Sequence, residues 1–183
     1  MDYAGKLLIA TPSLLDENFC QSVVLLLRGT DEDGVLGVVL NRESNKRISE
    51  LWQTIFDEPC KTASNLHIGG PVPGPLMALH TNAELGDFEI LPNVYCSTSR
   101  DALETLTEGE STPFRFFIGN SGWGTGQLAK ELHEGAWYLA EAAREIVFAE
   151  ETEIWQNLVA LVGRSILSEM IPADALPDDP NLN

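Results

Sequence analysis

Apolar residues in this chain arrive in short dense runs separated by glycine, proline and acidic clusters. Ser22 to Arg28 (SVVLLLR) and Val35 to Leu40 (VLGVVL) hold β-branched and aliphatic residues at consecutive, not alternate, positions. A strand wet on one face alternates apolar with polar, so a continuous apolar run predicts a strand covered on both faces. Between the two runs, Gly29-Thr30-Asp31-Glu32-Asp33-Gly34 carries the Asp-Gly signal of a hairpin. This pair is placed at the centre of a sheet. Gly5 to Ala10 reads as a first strand, followed by a turn-like segment in which Pro12 biases Thr11 away from helix.

Periodicity then changes. Ile48, Leu51, Trp52 and Ile55 fall at i, i+3, i+4 and i+7, an amphipathic helix that ends before Pro59. Leu66 to Ile68 and Leu76 to Thr81 are short strands flanking Gly69-Gly70-Pro71-Val72-Pro73-Gly74-Pro75, and residues 87–97 suit a second hairpin. Thr98-Ser99-Arg100-Asp101 has capping-box spacing, with Asp for the usual Glu, and opens a helix that closes at Gly109. Phe114 to Ile118 is a strand, and Ile154, Leu158, Leu161 and Val162 mark a last amphipathic helix. Residues 136–151 (AWYLAEAAREIVFAEE) read two ways. Propensity favours helix, yet Gly135 interrupts it and Trp137-Tyr138-Leu139 is equally good strand material. The end of the chain, Pro172 to Asn183, holds three prolines and three aspartates and reads as disordered. The expectation is one domain over 1–171 with an acidic, Pro-rich tail at 172–183.

Phe114 to Leu132 (FRFFIGNSGWGTGQLAKEL) is the segment where chemistry is most readily sought. A strand breaks into Gly119, Gly122, Gly124 and Gly126 around Trp123, and Gln127 opens a helical pattern. Three catalytic readings each fail on a residue. A phosphate loop needs lysine where Thr125 stands, and a dinucleotide fingerprint starting at Gly122 needs glycine where Gln127 stands. A nucleophile elbow around Ser121 needs glycine where Trp123 stands. What remains is either glycines that allow positive φ and tight packing, with Trp123 plugging the core, or a pocket where backbone N–H groups hold an anion or polar ligand.

Other polar residues have two readings each. Asn41 and Arg42 directly follow an apolar strand, where they face a cleft or satisfy turn backbone and surface charge. His67 and His80 lie in short apolar strands, and two histidines alone do not make a metal site. His133 falls late in an exposed-looking helix. The candidate ligand-binding set is Asn41, Arg42, His80, Gly122, Trp123 and Gln127. No catalytic residue, metal set or cofactor is assigned.

Charge and cysteine narrow the function classes. Eleven basic against 28 acidic residues leave a net charge of −17. Affinity for nucleic acid rests on neutralising phosphates, and only Arg42, Lys46 and Arg47 form a basic cluster. Direct nucleic-acid binding is not expected on that ground, and the acidity suits a basic partner. No apolar run reaches membrane-spanning length, and the first residues lack the layout of a signal peptide. Cys20, Cys60 and Cys96 are odd in number and lack a C-x-x-C pair, which suits a reducing compartment. Cytoplasmic residence is expected.

The ordered set of motifs resembles the YqgE/AlgH family of bacterial proteins. It runs from Gly5-Lys6-Leu7-Leu8-Ile9-Ala10-Thr11-Pro12 through Gly37-Val38-Val39-Leu40-Asn41-Arg42 and Gly69-Gly70-Pro71-Val72. It ends with Gly122-Trp123-Gly124, Gly126-Gln127-Leu128, Glu131-Leu132, Trp137, Phe148 and Trp155. The resemblance implies a single α+β domain with a mixed, partly barrel-like sheet flanked by helices, in which Trp137 begins a strand and Phe148 lies beyond a turn. It also implies no assigned biochemical activity, and the label of transcriptional regulator, which an acidic chain would fulfil through proteins. The leading expectation is a non-enzymatic protein acting through a protein partner or small ligand. The alternative is an enzyme or metabolite-binding protein whose pocket gathers Asn41, Arg42, His80, Trp123 and Gln127 at the 119–127 loop.

Overall fold

The computed structural model describes residues 1–60, 62, 64–108, 113–149 and 153–170. One sheet is built from β1 (Lys6–Ala10), β2 (Val23–Thr30), β3 (Gly34–Val39), β10 (Ser121–Trp123) and β11 (Trp137–Glu141). Its order is β10-β3-β2-β1-β11, antiparallel throughout, so the strongest apolar run occupies the centre. The second sheet holds β4 (Glu43–Arg47), β5 (Asn65–Ile68), β6 (Met77–His80), β7 (Phe88–Leu91), β8 (Val94–Ser97) and β9 (Phe114–Ile118). Its order is β4-β5-β9-β6-β8-β7, with β5 and β9 parallel. The domain is α+β. Its mixed sheet is divided in two, and neither half closes into a barrel.

The two-residue period of a strand sends neighbours to opposite faces, and here both faces find a core. Leu7, Ile9, Val23, Leu25 and Leu27 point between the sheets, where they meet Met77, Leu79 and Phe117. Leu8, Ala10, Val24 and Leu26 point the other way, against Trp123, Leu128 and Trp137. That outer layer includes α3 (Gln127–His133). On the far side of the second sheet, α1 (Ile48–Phe56) and α2 (Arg100–Glu108) lay Ile48, Trp52, Leu103 and Leu106 on Ala78 and Phe116. α4 (Arg144–Val147) and α5 (Ile154–Met170) send Val147, Ile154 and Leu158 into the inter-sheet core. Each fully buried aliphatic side chain contributes about 1.5–3 kcal/mol, so the buried run Val23 to Leu27 at the centre of the first sheet anchors the core.

Residues 136–151 resolve as strand then helix. β11 pairs with β1 over five register positions, Lys6↔Glu141 to Ala10↔Trp137, and this pairing outweighs the local helix propensity. α4 follows, with Phe148 at its end. α1 ends at Asp57 in the left-handed region, φ 56°, two residues before Pro59. The capping box at Thr98 does not form, because its amide and hydroxyl both donate to Asp87 Oδ2, at 2.7 and 2.9 Å. Two strands lack a sequence signal. β4 is polar along its length, and β10 lies inside the glycine run itself. The expected helix end at Gly109 and the tail at 172–183 lie outside the described residues.

Candidate functional site at the glycine loop

The glycine run is a joint between the sheets. The Gly69 carbonyl accepts from Val39 N–H of the first sheet at 2.9 Å and from the Ser121 hydroxyl at 3.0 Å. Gly69 N–H donates to the Ile118 carbonyl at 2.9 Å, at the end of β9. Residues 69–70 and 119–121 therefore pack backbone on backbone. At Gly70, φ is +150° and a Cβ would stand 2.3 Å from Ser121 Oγ and 2.4 Å from the Asn120 carbonyl, so only glycine fits. Ser121 is fully buried with its hydroxyl turned inward, and it presents no nucleophile to solvent. Gly122 differs, since a Cβ there would meet nothing within 4 Å.

Beyond the joint, four side chains form one network. The Trp123 and Trp137 indoles each donate Nε1–H to Glu131 Oε2 at 2.9 Å. Gln127 donates Nε2–H to Glu131 Oε1 at 2.9 Å, while its own Oε1 accepts from Gly124 N–H at 3.0 Å. Both carboxylate oxygens thus receive charge-assisted hydrogen bonds from neutral donors. Phe19 covers the pair, its ring 5.9 Å from Trp123 and 5.5 Å from Trp137, and the two indoles meet edge to face at 6.1 Å. Each tryptophan retains only 4% of its exposure. Glu131 is absent from the candidate set drawn from sequence. Its signal is the i, i+4 spacing from Gln127, which puts both on one helix face.

The other candidates sit elsewhere. Asn41 Oδ1 accepts from Val23 N–H and its Nδ2 donates to the Gln21 carbonyl, both at 2.8 Å, so the side chain pins the start of β2. Arg42 donates to the Asn18 carbonyl, and its own carbonyl accepts from Ile68 N–H at 2.8 Å. Trp123 pairs with Val35 at the opening of β3. Asn41 lies six residues further on, about 20 Å along an extended backbone. His80 belongs to the second sheet and pairs with Phe114, whereas the glycine run begins after Ile118, about 13 Å further along β9. The single cleft expected for Asn41, Arg42, His80, Trp123 and Gln127 is not formed. Gly122, Trp123 and Gln127 alone are brought together.

His80 is held as a neutral base. It is fully buried, and its Nε2 lies 2.8 Å from Ser97 Oγ. The Ser97 hydroxyl donates to the Leu85 carbonyl, so Nε2–H donates to Ser97. Nδ1 accepts from Asn82 N–H at 3.3 Å. Burial pushes the His80 pKa down, against the pull of the nearby Asp87 carboxylate. His67 Nδ1 lies 3.1 Å from the Phe116 carbonyl. Burial, with Asp87 assisting, pushes the Cys96 thiol up to about 12. Among the described residues, no three His, Cys, Asp or Glu side chains are grouped to hold a metal ion.

Two hollows remain. One, of about 380 Å³, lies beside the glycine run, where Arg28, Asp33, Gly34 and Val35 of the β2–β3 hairpin face Trp123. Another, of about 450 Å³, lies between α4 and α5 and is lined by Ile146, Ala149, Ile154 and Leu158 with Glu145, Glu153 and Asn157.

Comparison with known proteins places this architecture. An AlgH-like family model matches residues 7–167. A UPF0301 protein of Chlorobaculum parvum is 38% identical over 169 residues, covering 87% of each chain. One from Streptomyces avermitilis is 36% identical over 203 residues, covering 98% of this chain and 94% of its own. The solution structure of the AlgH protein from Pseudomonas aeruginosa superposes with a TM-score of 0.75 at 27% identity, covering 94% of this chain and 96% of that one. A crystal structure from Corynebacterium diphtheriae gives 0.69 at 26% identity over 85% of each chain. Among the described residues, no helix is long and apolar enough to cross a membrane.

Proposed function

The chain belongs to the AlgH-like family, and from that premise we propose that it is a cytoplasmic, non-enzymatic binding protein that acts through a partner or small ligand, with regulation as its role. One observation carries the reading. At the glycine run, the groups that a catalytic site would offer to substrate are turned inward: Ser121 to Gly69, and Trp123, Trp137 and Gln127 to Glu131. The free thiols of Cys20, Cys60 and Cys96, paired in no disulfide, suit a reducing compartment. A surface of net charge −17 directs the protein toward basic partners and away from phosphate backbones. The test combines cross-linked affinity capture with a panel of metabolite turnover assays. A partner recovered reproducibly with no turnover supports the reading, and turnover of any metabolite without a partner overturns it.

A second reading, a small ligand at the glycine run, is favoured by the 380 Å³ hollow beside Trp123. Arg28 would hold an anionic group there. A thermal-shift screen against phosphorylated and carboxylate metabolites tests it, since a ligand at about 100 times its Kd stabilises by about 2.7 kcal/mol. A hit that Arg28→Ala abolishes supports this reading.

A further inference from the structure

The cleft between α4 and α5 shares no lining residue with the hollow beside Trp123. We propose that it docks a basic amphipathic helix of a protein partner; the proposal rests on the binding-protein reading above and names the partner's chemistry.

The floor is apolar: Ile146 and Ala149 from α4 and the turn after it, Ile154 and Leu158 from α5. Ile154, Leu158 and Leu161 recur at i, i+4 and i+7 and so share one face of α5. Ile154 and Leu158 are 7% and 9% exposed, whereas Leu161 is 57% exposed. The apolar stripe therefore begins in the inter-sheet core and runs out into solvent. A helix docking in a groove is recognised through apolar anchors at this same spacing. A volume of about 450 Å³ holds two or three such anchors, while the rest of the docking helix would lie along α5.

Charge selects the occupant. The rim carries the exposed carboxylates of Glu145 and Glu153, and no lysine or arginine is among the described residues that line the cleft, the nearby Arg115 guanidinium being engaged with the Ala149 carbonyl. A second copy of the chain would bring another net charge of −17. Residues 172–183 of the same chain carry Asp174, Asp178 and Asp179 and no lysine or arginine. Both occupants meet like charge, which disfavours close approach. A helix with aliphatic residues on one face and Lys or Arg flanking them matches floor and rim together, and the field of the whole chain speeds its encounter.

The experiment uses the full chain and a fluorescein-labelled 14-residue peptide of leucines at i, i+3, i+4 and i+7 with lysine elsewhere, followed by anisotropy at about 0.15 M salt, where long-range attraction is largely screened. Two control peptides have the same composition scrambled, or glutamate in place of lysine. Saturable binding is expected, weakened at least tenfold by either control. Leu161→Asp and the double variant Glu145→Lys/Glu153→Lys change exposed side chains, so folding is retained and checked by circular dichroism. Each should also weaken binding at least tenfold. Absence of saturable binding, equal binding of the scrambled peptide, or indifference to Leu161→Asp would overturn the proposal. So would a dimer that Leu161→Asp dissolves, or Overhauser contacts from Leu176 or Leu182 to Ile154, which would give the cleft to a second copy or to the chain itself. If the peptide fails while capture still recovers a partner, the binding reading stands and its surface lies elsewhere. Turnover without a partner removes the reading itself.

Discussion

Trp123 and Trp137, fourteen positions apart, donate their indole N–H groups to the same oxygen, Oε2 of Glu131, each at 2.9 Å. One carboxylate on α3 thereby ties the short edge strand β10 to the opposite edge strand β11 across the outer face of the first sheet. Removing it leaves two buried donors without an acceptor, at about 1–3 kcal/mol each. Glu131→Ala should lower unfolding free energy by about 2–4 kcal/mol in urea titrations. Glu131→Gln, which keeps a carbonyl acceptor, should lose less than half of that. Equal loss in both variants would mean that charge, not acceptor geometry, holds the network.

The glycines separate by what surrounds them. Gly70→Ala forces a methyl group into Ser121 Oγ and the Asn120 carbonyl at a positive φ, and should cost several kcal/mol. Gly122→Ala meets open space and should leave the urea midpoint unchanged or slightly raised. Chemical denaturation of the two variants side by side gives the comparison.

His80 predicts a sign for acid sensitivity. An unfolded histidine titrates near pH 6.5, and burial holds the folded one below that. Below about pH 6.5 the unfolded chain takes up the proton first. The stabilisation from neutral His80 is therefore fully present above that pH and is lost as pH falls toward the folded value. The urea midpoint should drop between pH 7 and pH 5, and His80→Gln should flatten the drop. The difference between the two profiles reports His80 together with its coupling to Asp87. A slope that His80→Gln leaves unchanged would contradict the assignment.

Thiol reactivity should divide the cysteines. Cys20 is exposed, whereas Cys96 is 2% exposed with its pKa pushed up to about 12. Iodoacetamide at pH 8 should label Cys20 first and reach Cys96 only through unfolding. Peptide mass spectrometry after timed quenching reads the order. Cys96 labelling at the rate of Cys20 would contradict the burial.

Much of the fold was legible because apolar runs without alternation imply cover on both faces, as Val23 to Leu27 show. β4 was not legible, because Glu43–Arg47 is polar and joins the sheet only through pairing with β5. β11 was legible only through the family resemblance, since its partner β1 lies at the other end of the chain. At the site, sequence marked Trp123 and Gln127 but not the residue that organises them. Glu131 matters because β11 brings Trp137 beside α3, a relation that neither spacing nor composition carries. Asn41 and His80 were marked for polarity in apolar surroundings, and each meets its partner by a side-chain hydrogen bond to a distant part of the chain: Asn41 with the Val23 amide, His80 with Ser97.

The pairing of β1 with β11 also bears on how the protein is made. Lys6 and the Glu141 it pairs with are 135 positions apart. At about 5–20 residues per second, β1 leaves the ribosome on the order of ten seconds before β11 exists. Until then Leu7 to Ala10 presents a hydrogen-bonding edge with no native occupant, of the kind that templates aggregation. A nascent chain stalled before Trp137 should therefore engage chaperones strongly, and release them once residues 137–141 emerge.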